Sequence, residues 1–215
     1  MILSNNLVIR KVEKIRNMDK IKVFFDTNVY DELIVLSKEE RLLIKNCCEL
    51  YTCDVVDKEL MAIPDKKLEK KGIINQLRNS TKFNNVKVFG TCSYDNRNPS
   101  NITGFKTYKN SNKEGRCFNY EDGTYYNNVK KFLDNAKKKP KAKNNNNDAF
   151  IAMLANKEKC ILVTHDGTHN QIPQPNPRKH GLYQATADAN GCRVMTLREL
   201  IMYLNSKFKP EITAE

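Results

Sequence analysis

Four carboxylates, Asp26, Glu59, Asp148 and Asp166, pose the chemical question in this chain. Asp26 follows the apolar run Ile21-Lys-Val-Phe-Phe25, and Asp166 stands two residues beyond Cys160-Ile-Leu-Val-Thr164. Glu59 and Asp148 stand where helices are expected to begin. Taken singly, each acid has an ordinary explanation, because Asp is a common turn and N-cap residue and acids suit the first turn of a helix. Gathered in a small volume, they would repel one another and raise each other's pKa. A hard divalent cation relieves that repulsion. Mg²⁺ and Mn²⁺ take oxygen ligands from a few carboxylates and leave positions for water and substrate phosphate. The chemistry that suits such a site is in-line attack of a metal-activated water on a phosphodiester.

The elements that must position these acids read as an alternating α/β pattern. Residues 21–26 are a short β-branched and aromatic run, as expected of a strand buried on both faces in a parallel sheet. In such sheets ligands bind beyond the carboxyl ends of the strands, where Asp26 falls. A helical stretch is expected over about Tyr30 to Leu36. Ser37-Lys-Glu-Glu40 is a capping box that opens a helix carrying Leu42, Leu43, Ile44, Cys47 and Cys48. Tyr51 to Val56 reads as the next strand, with Asp57 capping a helix that places Glu59 in its first turn. A further helical segment is expected around Leu68 to Leu77, and a short strand at Val86 to Phe89.

From Gly90 to Asn147 the composition shifts to Asn, Lys, Gly, Ser and Tyr, which reads as an insertion with some structure, helical over Tyr125 to Ala136. Asp148 then opens a helix on which Asp148, Ile151, Ala152 and Ala155 share one face. The strand at Cys160 to Thr164 follows, then a loop over 167–190, a short strand at Cys192 to Met195, and a terminal helix opened by the capping box Thr196-Leu-Arg-Glu199. The sum is a three-layer α/β/α domain with a mostly parallel sheet. Its expected boundaries are an extension over 1–20, the domain over 21–205 with the insertion at about 90–143, and a tail over 206–215.

Composition narrows the partners. The chain has 215 residues, 37 Lys and Arg against 25 Asp and Glu, and a net charge of +12. That balance favours polyanions. Lys137, Lys138, Lys139, Lys141 and Lys143 form a run just ahead of Asp148, as either a solvated linker or a contact to a phosphate backbone. The seven cysteines form no CxxC pair and no zinc-like array, and several lie within apolar runs, so a reducing cytoplasm is expected. The N-terminal stretch lacks the continuous apolar core of a signal peptide, and no run approaches the ~18–20 apolar residues of a membrane span.

The ordered set Asp26-Thr-Asn28, Glu59, Asp148-x-x-Ile-Ala-x-x-Ala155, Leu162-Val-Thr-x-Asp166 and Val194-x-Thr-x-x-Glu-Leu200 resembles the PIN-domain nucleases. The likeness covers about 21–89 and 144–205. It implies a PIN fold and Mg²⁺- or Mn²⁺-dependent hydrolysis of phosphodiester bonds, usually in RNA. It also implies a catalytic and metal-holding quartet of Asp26, Glu59, Asp148 and Asp166, with Asn28 and Thr164 supporting it. Many members carry a further acid after the fourth; here Gly167-Thr-His-Asn170 stands instead, so one metal and two metals both stay open. Small toxin members are similar in activity but usually shorter, which makes an antitoxin or a second copy an optional partner.

Rival readings are weaker. His165 and His169 flank Gly167, which suits neither a helical metal pair nor a fixed acid and base. A dinucleotide site would need a glycine-rich first turn. A phosphoaspartyl enzyme would need a second acid at Asn28. The alternatives that stay are a nucleic-acid-binding or assembly module of the same fold without turnover, and a structure-specific DNA nuclease.

Overall fold

The computed structural model describes residues 19–64, 71–72, 74–76, 78, 83–85, 120–136, 142–169, 172–173 and 181–208. Its centre is a sheet of five parallel strands, β1 (Ile21–Phe25), β2 (Cys48–Thr52), β3 (Phe83–Asn85), β4 (Ile161–Val163) and β7 (Val194–Met195). Their order across the sheet is β3-β2-β1-β4-β7. An antiparallel ribbon of β5 (Thr168–His169) and β6 (Ile172–Pro173) stands apart from it. Val23, Phe24 and Phe25 of β1 are fully buried, as are Leu162 and Val163 of β4. Removing each such side chain from water contributes about 1.5–3 kcal/mol, and this fixes β1 and β4 as the middle of the sheet.

Helices cover both faces, giving the three-layer α/β/α architecture. On one side α2 (Lys38–Cys47) packs on α7 (Leu197–Phe208). On the other, α4 (Tyr120–Ala136) packs on α5 (Ala142–Lys157) and on α6 (Leu182–Asp188). Short α1 (Tyr30–Leu33) follows β1, and α3 (Asp54–Met61) follows β2. Val23 pairs with Leu50 on one side and Ile161 on the other, so β1 lies between the strand that follows it in the chain and one that comes much later. Chain order therefore reverses between β1 and β4. That is the switch point of an open parallel sheet, where a crevice forms beyond the strand ends.

Several boundaries differ from the expectation. The second strand is Cys48–Thr52 rather than Tyr51 to Val56, and it starts directly at the end of α2. Val55 and Val56 lie in α3, where Val56 is buried, so tertiary packing overrides their β-propensity. The N-cap of α3 is Cys53, not Asp57, which puts Glu59 in the second turn. Helix α5 begins at Ala142, so Asp148 lies well inside it rather than at its head. The loop expected over 167–190 contains β5, β6 and α6.

Other expectations agree. Ser37 accepts from the Glu40 amide and Glu40 from the Ser37 amide, a complete capping box, and Thr196 and Glu199 form another. Residues 71–72, 74–76 and 78 are helical. Of the stretch with an insertion's composition, residues 120–136 form α4 and residues 142–147 the start of α5. The strand expected at Val86 to Phe89, the extension 1–18 and the tail 209–215 lie outside the described residues. Among the described residues no helix is long and apolar enough to cross a membrane.

Candidate active site

The crevice at the ends of β1 and β4 is built around Asp26. Its backbone amide donates to Val163 O at 3.0 Å, which extends the β1–β4 pairing by one residue and turns the side chain into the switch point. Three donors then converge on the carboxylate. The Thr27 amide reaches Oδ1 at 2.7 Å, while Asn28 Nδ2 and the Thr164 hydroxyl both reach Oδ2 at 2.7 Å. The first of these caps the single 3-10 turn Thr27–Val29. Asp26 is only 5 % exposed. Burial drives its pKa from 3.8 up to about 6, against the lowering effect of the Thr164 and Thr27 hydrogen bonds, and the charges of Asp166 and Glu59 push it further upward.

Asn28 and Thr164 tie this acid to the next. The His165 amide donates to Asn28 Oδ1 at 2.9 Å, and the Asp166 amide donates to Thr164 Oγ1 at 3.1 Å. Asp166 Oδ2 accepts from the Leu182 amide at 2.8 Å, and its carbonyl accepts from the Tyr183 amide at 3.0 Å. Two glycines allow that docking of α6. Gly167 has φ +88°, and a Cβ on Gly181 would lie 2.3 Å from Gly167 N and 2.4 Å from Asp166 C. The backbone approach that holds Asp166 thus has no room for a side chain at Gly181.

Glu59 joins from α3. Its Oε2 accepts from the Thr27 hydroxyl at 2.6 Å and its Oε1 from Asn147 Nδ2 at 3.0 Å. The helix starts expected from sequence at Asp57 and at Asp148 do not hold: α3 begins at Asp54 and α5 at Ala142, so the helix macrodipole, which acts within the first turn, accounts for neither Glu59 nor Asp148. Asp148 is half-buried and directly follows Asn147, so its backbone lies one peptide from the donor that holds Glu59.

The structure therefore brings Asp26, Glu59 and Asp166 into one electrostatic neighbourhood, with Asn28 and Thr164 as direct partners of Asp26. Among the described residues no group of three or more His, Cys, Asp or Glu side chains stands close enough to hold a metal ion. The oxygens of Asp26 and Glu59 are instead taken by protein donors. The donor chemistry still fits a hard cation: the acids are all-oxygen ligands, and one of them is buried with the like charges of Asp166 and Glu59 acting on it.

Two residues outside the expected set emerge, Thr27 and Asn147, each beside an acid in sequence and each donating to Glu59. Thr27 is visible within the Asp26-Thr-Asn28 motif, whereas Asn147 is hidden in a run of four asparagines. His165 faces Glu32, with Nε2 3.5 Å from Oε1. Burial lowers the His165 pKa and raises that of Glu32, the latter with a smaller push from Asp31. Lys137, Lys138, Lys139 and Lys141 lie outside the described residues, and Lys143 is placed only as part of the backbone of α5. No family model matches the chain, and no curated protein matches it.

Proposed function

We propose that this chain is a metal-dependent nuclease of the PIN type that hydrolyses phosphodiester bonds, with RNA as the favoured substrate. The observation that carries this reading is Asp26, a carboxylate buried at the switch point of a parallel sheet and raised to about 6, where Asp166 and Glu59 add like charge. Asp26, Glu59, Asp148 and Asp166 would hold Mg²⁺ or Mn²⁺, which when bound supplies an activated water and a counter-charge for the phosphate. Thr164 and Asn28 hold the Asp26 carboxylate in one orientation through Oδ2. The Leu182 amide does the same for Asp166. The net charge of +12 draws a polyanion toward this acidic crevice and offsets its repulsion. The thiols of Cys47, Cys48, Cys53 and Cys160 are buried and unpaired, which supports a reducing cytoplasm as the compartment.

A second reading, a nucleic-acid-binding module of the same fold without turnover, is favoured by one observation: the oxygens of Glu59 are already taken by Thr27 and Asn147. Parallel assays on labelled single-stranded RNA and on flapped DNA, with the Asp166→Asn variant alongside, separate the readings. Cleavage of RNA that disappears in the variant supports the proposal. Cleavage of flapped DNA alone moves the substrate class, and binding of either without cleavage favours the module.

A further inference from the structure

Residues 144–147 are four consecutive asparagines, a composition that by itself marks a linker. In the structure they form part of α5, and two of them have separate partners. Asn145 is fully buried and donates through Nδ2 to Asp134 Oδ1 at 2.7 Å, which fixes α5 on α4. Asn147 donates through Nδ2 to Glu59 Oε1 at 3.0 Å, across 88 residues of chain. Side chains two residues apart on a helix diverge by roughly 200°, so one anchors the helix to its layer while the other reaches across to α3.

The Glu59 carboxylate is thus held between two donors, the Thr27 hydroxyl at 2.6 Å and the Asn147 amide at 3.0 Å. Each donor is joined covalently to another candidate acid, Thr27 to Asp26 and Asn147 to Asp148. We infer that Asn147 is a positioning residue, which together with Thr27 fixes the Glu59 carboxylate so that a divalent cation meets it already oriented. This rests on the metal-dependent reading above and adds to it the device that registers α5 on α3. The side chain must be a short neutral donor. An acid there would set a like charge against Glu59, and an apolar residue would leave Oε1 without its donor.

The test is a titration of Mn²⁺ into the metal-free full chain, with free Mn²⁺ read by its paramagnetic resonance signal and melting temperature measured in parallel. Asn147→Ala improves helix propensity, so α5 is expected to persist. It is expected to weaken Mn²⁺ binding by about tenfold or more, the scale seen when a group that orients a metal-binding side chain is removed. Asn145→Ala, the structural control in the same helix, is expected to lower the melting temperature with little change in Mn²⁺ affinity. Wild-type affinity in Asn147→Ala would overturn the inference, as would an affinity drop that only tracks melting temperature in the manner of Asn145→Ala. Absence of Mn²⁺ binding by the wild type would instead overturn the metal-dependent reading on which it rests.

Discussion

Replacing Asp26 by Asn should change how stability depends on pH, and the size of the change follows from the burial of this one carboxyl. Asp26 titrates near 6 in the folded chain against an ordinary 3.8. Between those values the folded state keeps a proton that the unfolded chain has released, so stability falls as pH rises through the window. At roughly 1.4 kcal/mol per pH unit the full loss is about 3 kcal/mol by pH 7. Asn carries no charge to bury and escapes that loss. It incurs a different one that does not vary with pH. Its NH₂ group would take the place of Oδ1 and face the Thr27 amide, or of Oδ2 and face both the Asn28 amide and the Thr164 hydroxyl, at a cost of about 1–3 kcal/mol. The readout is therefore the slope rather than the offset. Urea titrations in EDTA from about pH 4 to about pH 7.5 should show wild type losing about 2.4 kcal/mol relative to Asp26→Asn. Adding Mg²⁺ at roughly a hundredfold excess over its Kd should return about 2.7 kcal/mol to the wild type and little to the variant. A difference that stays constant with pH would mean that Asp26 does not bury its charge among like neighbours.

Two further outcomes follow from the same geometry. Gly181→Ala places a Cβ 2.3 Å from Gly167 N, so the hydrogen bonds from α6 to Asp166 should break, with a stability cost of about 2 kcal/mol or more in thermal melts. A melting curve unchanged from wild type would mean that the two backbones separate freely. Replacing Lys137, Lys138, Lys139, Lys141 and Lys143 by Gln should weaken RNA binding and flatten its salt dependence, by up to roughly 0.7 in log–log slope for each phosphate no longer neutralised. An unchanged slope in filter-binding assays would place the run as plain linker.

The sheet was legible because its middle strands are continuous apolar runs: Ile21 to Phe25 and Ile161 to Val163 have no amphipathic alternative. The capping boxes at Ser37 and Thr196 were legible because two residues three apart define each of them. Helix starts without such chemistry were not. Cys53 caps α3 with no side-chain hydrogen bond, so Val55 and Val56 read as strand until Val56 is seen buried in a helix. The start of α5 is hidden among asparagines, poor helix formers whose place is secured by partners distant in sequence, Asp134 and Glu59.

Asp26 and Asp166 could be assigned to one edge because each follows an apolar strand of a parallel sheet, and Asn28 and Thr164 entered through the resemblance to the PIN-domain motifs. Glu59 and Asp148 read as helix heads from sequence, and the structure withdraws that ordinary explanation by moving both helix starts upstream. The Asn147 contact could not be read at all, since it spans 88 residues and no local rule predicts it. The same holds for His165 and Glu32, which stand far apart in the chain and come within 3.5 Å only in the folded structure.

The most direct measurement is the fate of labelled single-stranded RNA incubated with the purified chain in Mg²⁺, in Mn²⁺ and in EDTA, beside Asp148→Asn. The predicted result is cleavage in both metals, none in EDTA, and a drop of orders of magnitude in the variant with its melting temperature preserved. RNA left intact in every lane, or cleaved equally in EDTA and by Asp148→Asn, would contradict a carboxylate-held metal as the centre of this site.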